Sequence, residues 1–454
     1  MRVLLIEPSK SPISMAGEDV FLFEPLALEY VAAGVSSDHE VRILDQRIDD
    51  SVEETMADFH PHVVGITGYT VHVNRMKLLA ERARTASPEI LTVVGGHHAT
   101  VAPHDFDSPF IDVVVVGDGV RSFRELVRRF EEGESFDEIP GAWVRDGGVL
   151  QEGAAPEICD LDDLPFPDRS LTASYRHAYY SEYMQPLASI RTSKGCPFRC
   201  NFCALWKIAG GKYLKRKPEK IVEELAGIDE EFVFFADDES LVDVPRMKRL
   251  AELIWDAGLH KRYFLYGRSD TISKHPDLLA MWRDIGLERV FIGLEFFRDS
   301  DLEFINKGST TDNNLAAVRV MQDLGIDIYA SFIVRPEFTV DDFTEFRNYC
   351  RSLGIGFASF AVLTPLPGTD LYDEVQDRLL TREPEYFDFI HTVLPTALPL
   401  EEFYEQLYKL YTKSIPVRKV FAFMSKFRLR DVPASLAKFQ RWSKRLRTLH
   451  TDYS

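Results

Sequence analysis

Cysteine is scarce in this sequence, and long apolar runs are missing. Only five of the 454 residues are cysteine, and an odd, partly clustered set argues against a disulfide framework. No window approaches the roughly 20 apolar residues that a bilayer-spanning helix needs. The opening apolar stretch ends at Ile6, which is too short for a signal peptide. We therefore expect a cytoplasmic protein.

Positive charge is scarce over most of the chain. The net charge is −19, yet residues 409–454 hold twelve Lys/Arg against two Asp and carry +10, so residues 1–408 carry −29. A strongly acidic body argues against nucleic-acid binding. The length predicts two or three domains, and the 45% hydrophobic content is that of a globular protein.

Three of the cysteines lie in one run, Cys196, Cys200 and Cys203, with the spacing C-x3-C-x2-C. Three thiolates can hold three irons of a [4Fe–4S] cluster and leave the fourth iron open. Ferredoxin-type clusters use four cysteines, and structural zinc sites use four ligands. No fourth cysteine follows nearby, so the run predicts a cluster built for chemistry. A zinc clip completed by a distant histidine, or free buried thiols, are the alternatives.

The first part of the chain alternates short apolar strands with helices. We predict strands over 2–6, 41–44, 63–67, 91–94 and 113–116, and helices over 25–35, 52–59, 74–85 and 122–132. This order is typical of a doubly wound, Rossmann-like parallel sheet, in which ligands bind at the carboxyl ends of the strands.

Glycines follow three of these strands, in the runs 68–70 (Gly-Tyr-Thr), 95–97 (Gly-Gly-His) and 117–119 (Gly-Asp-Gly). Glycine lets the backbone approach a large flat ligand closely, although each run alone also fits an ordinary strand-to-helix turn. No G-x-G-x-x-G follows the first strand, which argues against a dinucleotide site.

A second α/β series begins near residue 188. We predict strands over 188–193, 232–236, 262–267, 289–294, 327–334 and 357–363, separated by helices over 218–227, 244–257, 276–285, 311–324 and 339–352. Six such units form a partial (β/α)6 barrel, whose chemistry lies at the carboxyl ends of its strands. The predicted domains are a sheet domain at 1–136, a hairpin and Pro/Asp-rich linker at 137–187, the barrel at 188–375, and a helical region at 376–454.

The cysteine run, with Phe202 before its last cysteine, resembles the cluster loop of radical S-adenosylmethionine (SAM) enzymes. The sequence L-T-P-L-P-G-T at 363–369 also resembles a motif of that family. The resemblance implies that the three cysteines ligate a [4Fe–4S] cluster and that SAM binds its open iron. The residues it implies around SAM are Phe202, Asp238 at the amino group, Arg268 at the carboxylate, Glu295 near the ribose, and Arg335. Arg335 stands where relatives have glycine; it neutralises a SAM carboxylate or substrate anion, or pairs with Glu337.

The N-terminal segment resembles the cobalamin-binding domain that precedes the radical SAM domain in a large subfamily. The corrinoid pocket that this implies is lined by Tyr69, Thr70, Gly95, Gly96, His97, Gly117 and Gly119. The D-x-H-x-x-G signature, whose histidine ligates cobalt in many cobalamin proteins, is absent. His97 and His98 are the nearest candidates for a ligand, and we expect them to form the pocket wall instead.

Together these resemblances imply a cobalamin-dependent radical SAM methyltransferase that acts on an unactivated carbon. Such an enzyme needs an electron donor, such as flavodoxin or ferredoxin, and a small-molecule or lipid substrate. A cobalamin-dependent cyclase of the tetrapyrrole type and a non-catalytic corrinoid-binding regulator are the alternatives. A methylthiotransferase is disfavoured, because the N-terminal domain has no cysteine for a second cluster.

The C-terminal region, 376–454, is helical in pattern and rich in aromatic residues. It either caps the barrel and shapes a substrate pocket or packs on the barrel exterior. Its basic stretches at 417–430 and 438–449 also carry Phe and Trp, a composition that suits an anionic membrane surface. We therefore expect peripheral contact with the inner membrane surface and a lipid substrate. The resemblance implies a polycyclic lipid, since polycyclic lipid methylases such as those acting on hopanoids share this architecture. A solvated tail and a tail folded onto the acidic body are the alternatives.

Overall fold

A computed structural model describes residues 1–15, 17 and 20–453 of the chain. The N-terminal part confirms the predicted parallel sheet with helices on both faces. Its strands are β1 (Arg2–Glu7), β2 (Phe21–Leu22), β3 (Glu40–Asp45), β4 (Val63–Thr67), β5 (Leu91–Gly95), β6 (Val113–Val115), β7 (Ala142–Asp146) and β8 (Val149–Gln151). Its helices are α1 (Leu26–Ala33), α2 (Val52–Phe59), α3 (Val73–Ala86), α4 (His97–Val101) and α5 (Gly119–Glu132).

The strand order in this sheet is β3-β1-β4-β5-β6-β7-β8, with the first five strands parallel. Successive residues of β1 enter opposite cores: Leu4 and Ile6 pack with α2 and α3, and Val3 and Leu5 pack with α1 and α5. Burial on both faces explains why the strands read as continuous apolar runs. The order reverses between β1 and β4, and ligands of such sheets bind at that switch point.

The predicted hairpin forms, but it belongs to the sheet and not to the linker. β7 pairs antiparallel with β6, Val144 opposite Val113, and β8 pairs with β7. The hairpin covers the hydrogen-bonding edge of β6, which a solvent-exposed edge strand would leave open. The sheet therefore runs past the predicted boundary at residue 136.

The second part of the chain confirms the predicted partial barrel. Its strands are β9 (Tyr180–Ser181), β10 (Leu187–Ile190), β11 (Ser193–Lys194), β12 (Leu214–Lys215), β13 (Phe232–Phe235), β14 (Arg262–Gly267), β15 (Leu287–Glu295), β16 (Asp327–Val334) and β17 (Phe357–Val362). Its helices are α6 (Leu205–Ile208), α7 (Pro218–Ala226), α8 (Val244–Asp256), α9 (Ser269–Lys274), α10 (Pro276–Asp284), α11 (Asp299–Phe304), α12 (Thr311–Leu324), α13 (Val340–Leu353) and α14 (Asp370–Val375). The barrel sheet is wholly parallel, in the order β10-β13-β14-β15-β16-β17.

The first barrel strand is shorter than the predicted 188–193. The buried carboxylate of Asp237 accepts hydrogen bonds from the backbone N–H of Thr192 at 2.7 Å and of Ser193 at 2.8 Å. These bonds turn the chain out of the sheet after Ile190. Ser193 and Lys194 instead pair with Lys215 and Leu214 in a two-stranded ribbon, and the cysteine loop lies between the two strands of that ribbon.

The C-terminal region contains α15 (Leu400–Lys413), α16 (Val417–Met424) and α17 (Val432–Thr448). α15 packs on the barrel exterior, because its Phe403, Leu407 and Leu410 are fully buried in the barrel's outer core. α16 and α17 fold against the acidic body, with Lys426 paired to Asp327 and Arg447 to Glu405, so the tail is not a solvated one. Its contact with a membrane stays a prediction. In the described residues, no helix is both long enough and apolar enough to cross a bilayer.

A buried histidine anchors the chain end. His391 Nδ1 lies 2.9 Å from Asp388 and its Nε2 lies 3.0 Å from Asp452. Burial by itself would lower the pKa of His391, but the hydrogen bonds and charges of the two aspartates outweigh it and raise the pKa above its ordinary value. His391 therefore links the end of the chain to the barrel through both ring nitrogens, and the raised pKa favours its protonated form.

Candidate functional site

One large cavity lies where the carboxyl ends of the two sheets face each other. Its volume is about 1770 Å³, above the roughly 300–1,000 Å³ of a pocket for one drug-sized ligand. All the predicted site residues except Arg335 line it. Residues far apart in the sequence, such as Tyr69 and Cys200, thus share one space, although lining the cavity does not by itself assign a role to any of them.

The three clustered cysteines carry free thiols that face this cavity. Burial raises the pKa of Cys196 to about 11 and that of Cys203 to about 12, and it also raises the pKa of Cys200. In the described part of the chain, no three cysteine, histidine or carboxylate side chains already stand in the geometry of a metal site. The donor set nevertheless fits an iron–sulfur cluster, because soft thiolates are its usual ligands.

Two carboxylates follow β13 at the edge of this loop. Asp238 accepts a hydrogen bond from the backbone N–H of Gly195 at 2.6 Å, and burial raises its pKa. Glu239 accepts one from the N–H of Leu241 at 3.1 Å, and burial raises its pKa to about 7. Sequence reasoning selected Asp238 and passed over Glu239, although both line the cavity.

A buried charged group forms the wall after β14 and β15. Arg268 donates to Asp270 at 2.9 Å and to the carbonyl of Lys307 at 2.6 Å, and its guanidinium lies 3.6 Å from the ring centroid of Phe198. Lys307 Nζ donates to Glu295 Oε1 at 2.5 Å. Arg268 and Glu295 are therefore held by protein partners at the cavity surface, and their contacts with SAM stay predictions.

Arg335 lies outside the cavity, and the structure does not support its predicted contact with SAM or a substrate anion. Its guanidinium donates to Asp301 at 2.8 Å, lies 3.5 Å from Glu337 and covers the ring of Phe304 at 4.3 Å. The structural alternative, pairing with Glu337, is the one found, with Asp301 as the closer partner.

The opposite end of the cavity lies at the carboxyl ends of β4, β5 and β6 in the first sheet, beside its switch point. Gly96 has φ +101°, and a Cβ there would stand 2.7 Å from Thr67 Oγ1 and 2.8 Å from backbone atoms of Gly68. Gly117 has φ +86°, and its Cβ would stand 2.7 Å from Pro156. Glycine at these two positions is required by the turns themselves.

An aromatic platform covers this end. The ring of Tyr69 stacks on that of His97 with centroids 4.8 Å apart and an interplanar angle of 13°. Burial and the nearby charges of Arg191 and Lys194 lower the pKa of His97 to about 4, so its imidazole is neutral near pH 7. A flat, backbone-lined surface with an aromatic pair fits a macrocycle such as a corrinoid.

His98 belongs to the pocket wall, as expected. Its Nδ1 lies 3.1 Å from Thr70 Oγ1 and its Nε2 lies 2.8 Å from Asp105. With both ring nitrogens bonded to protein, His98 positions Thr70 and has no nitrogen left for a cobalt ligand.

Two cations stand where the two ends of the cavity meet. Lys194, beside the cysteine loop, forms an ion pair with Asp118 of the first sheet domain. Arg191 lines the same part of the cavity, and its positive charge acts to lower the pKa of Tyr69, His97 and Asp238. The sequence offers one signal for Arg191: it directly follows the first barrel strand.

The remainder of the cavity is an apolar chamber. It extends through the barrel toward the C-terminal helices and is lined by Tyr266, Phe291, Tyr329, Phe357, Phe423 and Trp442. Tyr329 lies between Phe291 and Phe357 with ring centroids at 5.0 and 4.7 Å. The C-terminal helices thus do both things considered for them: α15 packs outside and reaches the cavity only with Tyr411 and Thr412 at its end, while α16 and α17 form part of the cavity wall.

Two known families match the two segments of the chain that form the ends of this cavity. Residues 15–127 match the B12 binding domain family and residues 190–350 match the Radical SAM superfamily. Hopanoid C-3 methylase of Methylococcus capsulatus is 31% identical over 417 residues, which is 90% of this chain and 79% of that protein. Anaerobic magnesium-protoporphyrin IX monomethyl ester cyclase of Rubrivivax gelatinosus is 28% identical over 432 residues, 91% of this chain and 77% of that protein.

A solved structure shares the fold. The radical S-adenosylmethionine methyltransferase TsrM of Kitasatospora setae superposes with a TM-score of 0.69 and 18% identity, covering 90% of this chain and 88% of that one. The match spans the sheet domain and the barrel together. The two domain matches and the relative that is 31% identical show that this chain belongs to the family of radical SAM enzymes that carry a B12 binding domain.

Proposed function

We propose that this protein is a cobalamin-dependent radical SAM C-methyltransferase that methylates an unactivated carbon of an apolar, polycyclic lipid. The observation that carries the proposal is the single cavity. It joins the cysteine loop, the platform at the end of the first sheet and an apolar chamber. A substrate in the chamber lies within reach of groups bound at either end. The proposal also fits the hopanoid C-3 methylase relative.

When bound, the cluster, SAM and cobalamin would supply the radical and methyl-transfer chemistry. The residues of the chain would bind and orient these groups and exclude water from them. Cys196, Cys200 and Cys203 would hold the cluster, and Asp238 fixes the start of their loop through the N–H of Gly195. Tyr69 and neutral His97 offer a flat surface to the corrinoid. The aromatic chamber keeps water away from a reactive carbon centre.

The outer side of the cysteine loop suits an acidic electron donor such as flavodoxin or ferredoxin. Arg199 is exposed and its guanidinium lies 4.8 Å from the ring centroid of Trp206. Trp206 in turn donates through Nε1 to the carbonyl of Cys200 at 3.2 Å. An acidic protein docked on Arg199 would therefore stand next to the cluster loop, which shortens the path for an electron.

The test is anaerobic reconstitution with iron, sulfide and hydroxocobalamin, followed by reduction in the presence of SAM that carries a deuterated methyl group. We expect the protein to form 5′-deoxyadenosine, retain corrinoid and transfer the label to a hopanoid-containing lipid extract. Cys200→Ala should reduce deoxyadenosine to background. Cys350→Ala is the matched control, since Cys350 is buried in the barrel core away from the cavity, and it should retain the activity.

The cyclase relative makes ring formation the second candidate. Product mass separates the two, because a cyclase leaves no deuterated methyl group in its product. Deoxyadenosine formation without bound corrinoid would contradict both candidates. Corrinoid binding without SAM cleavage would favour a non-catalytic corrinoid-binding regulator.

A further inference from the structure

The C-terminal strap, residues 416–442, forms one wall of the apolar chamber. It consists of α16, the turn after it and the first part of α17. Phe423, Met424, Phe427 and Trp442 line the cavity. The ring of Phe423 lies 5.1 Å from that of Phe357, at the start of the last barrel strand. The inner side of the strap is therefore part of the substrate space.

The cavity opens to the surface within the strap. Val420, Leu436 and Phe439 line the cavity and are also 39%, 46% and 44% exposed. A large apolar side chain that does both stands at an opening. The mouth between α16 and α17 thus presents apolar groups that water solvates poorly, beside the charged Arg428, Asp431 and Lys438, which also line the cavity.

The outer side of the strap combines exposed apolar groups with cations. Val417, Phe421 and Leu429 are 70%, 71% and 91% exposed. The strap contains seven Lys/Arg and one Asp, among them the exposed Arg418 and Arg430. Single exposed apolar residues are common on protein surfaces, but apolar groups set among cations around one opening are typical of segments that lie on anionic lipid.

The strap is attached to the barrel by a small set of aromatic and polar contacts, among them Phe423 on Tyr183 and Trp442 on Tyr411. None of the side chains of α16 is buried, whereas Phe403, Leu407 and Leu410 of α15 are fully buried. Lys426 pairs with Asp327 at 2.5 Å. A helix that buries so little apolar surface opens at low cost, so α16 can move while Trp442 of α17 stays packed against the barrel core.

We propose that the strap docks the enzyme on an anionic lipid bilayer and that its mouth is the port through which the apolar substrate passes between bilayer and chamber. This inference rests on the proposed methylation of an apolar lipid. Because the strap is positively charged, the surface it docks on is anionic. Because the exposed apolar rim is continuous with the chamber, that surface is lipid.

Docking is tested by flotation of the full-length holoprotein with phosphatidylcholine vesicles, with and without phosphatidylglycerol. We expect binding that depends on phosphatidylglycerol and weakens at high salt. The double variant Phe421→Ser/Leu429→Ser should bind about tenfold less or weaker still, because two apolar insertions are lost. The control is Trp255→Ser, which removes a side chain 68% exposed on α8 and should leave binding unchanged. Docking is overturned if the amount of floated protein does not depend on phosphatidylglycerol, or if the double variant floats as well as the wild type.

The port is tested separately with cis-parinaric acid, whose fluorescence rises when it enters an apolar site. Leu436→Trp narrows the mouth without removing an outer apolar group. It should slow uptake of the probe several-fold while vesicle binding stays at the wild-type level. Uptake at the wild-type rate overturns the port. Neither measurement uses methyl transfer, so a failure of the proposed reaction is distinguished from a failure of docking or entry.

Discussion

Replacement of Gly96 by alanine should disable corrinoid binding, because two separate penalties meet at this residue. Its φ of +101° and ψ of −167° lie in a region that only glycine occupies freely. A Cβ would also stand 2.7–2.8 Å from Thr67 Oγ1 and the backbone of Gly68. Neither neighbour is the far end of a flexible side chain, so the turn itself has to move.

The size of the effect follows from a control in the same domain. Gly133 ends α5 with φ +67°, and no atom of the described residues lies within 4 Å of its Cβ position. Gly133→Ala therefore meets only the left-handed penalty of about 1 kcal/mol. Gly96→Ala meets backbone strain of about 1–3 kcal/mol and the contacts in addition. Together these penalties disfavour the native turn by about 3 kcal/mol relative to a shifted one. The fraction of molecules whose turn keeps the binding geometry then falls about a hundredfold.

The assay is the amount of corrinoid retained per protein after reconstitution and gel filtration, measured beside the urea midpoint of each variant. We expect Gly96→Ala to lose most of its corrinoid and Gly133→Ala to keep it. SAM cleavage at the barrel should fall less than corrinoid retention in Gly96→Ala. Full corrinoid retention by Gly96→Ala would refute the assignment of this turn to the corrinoid pocket.

Two further predictions concern the barrel. Arg335→Ala should leave the KM for SAM within about twofold but destabilise the protein by roughly 1–3 kcal/mol, since it leaves the buried Asp301 without this cation; a KM raised as strongly as by Arg268→Ala would contradict this. Because the pKa of His391 is raised, its anchoring is complete below about pH 6.5 and is lost as pH rises through the folded-state pKa. The protection factors of the α17 amides, which correct each rate for base-catalysed intrinsic exchange, should therefore fall as pH rises in the wild type. In His391→Asn they should be low at every pH, and wild-type protection factors that do not fall would contradict this.

The parts of the fold that sequence predicts are those where burial alone decides. Strand β4 and helix α2 have the predicted bounds, 63–67 and 52–59, because apolar residues on both faces of a strand, or on one face of a helix, leave few alternatives. The cysteine loop is equally predictable from sequence, because the spacing of its three cysteines by itself indicates an iron–sulfur cluster. In both cases the signal lies within a short stretch of chain.

The features that sequence did not predict depend on partners distant in the chain. The end of β10 at Ile190 is set by Asp237, and the position of Arg335 is set by Asp301. The hairpin was recognised, but its pairing with β6 was not, because an antiparallel edge adds no pattern beyond the hairpin itself. The mouth of the chamber likewise exists only once α16 and α17 are folded together.

The relative position of the two halves is specified by buried charge, and this position is what makes one cavity of them. Glu24, just before α1, accepts a hydrogen bond from the backbone N–H of Ser189 in the first barrel strand and pairs with Arg176. Burial raises the pKa of Glu24 although Arg176 and Arg169 oppose the rise. Removing such a charge from water is costly, so these contacts add less to stability than to a defined arrangement. An apolar interface of equal area would tolerate sliding, whereas a carboxylate bonded to one strand N–H does not. The platform of the first sheet and the cysteine loop of the barrel therefore face the same chamber in a fixed geometry, which a reaction drawing on both requires.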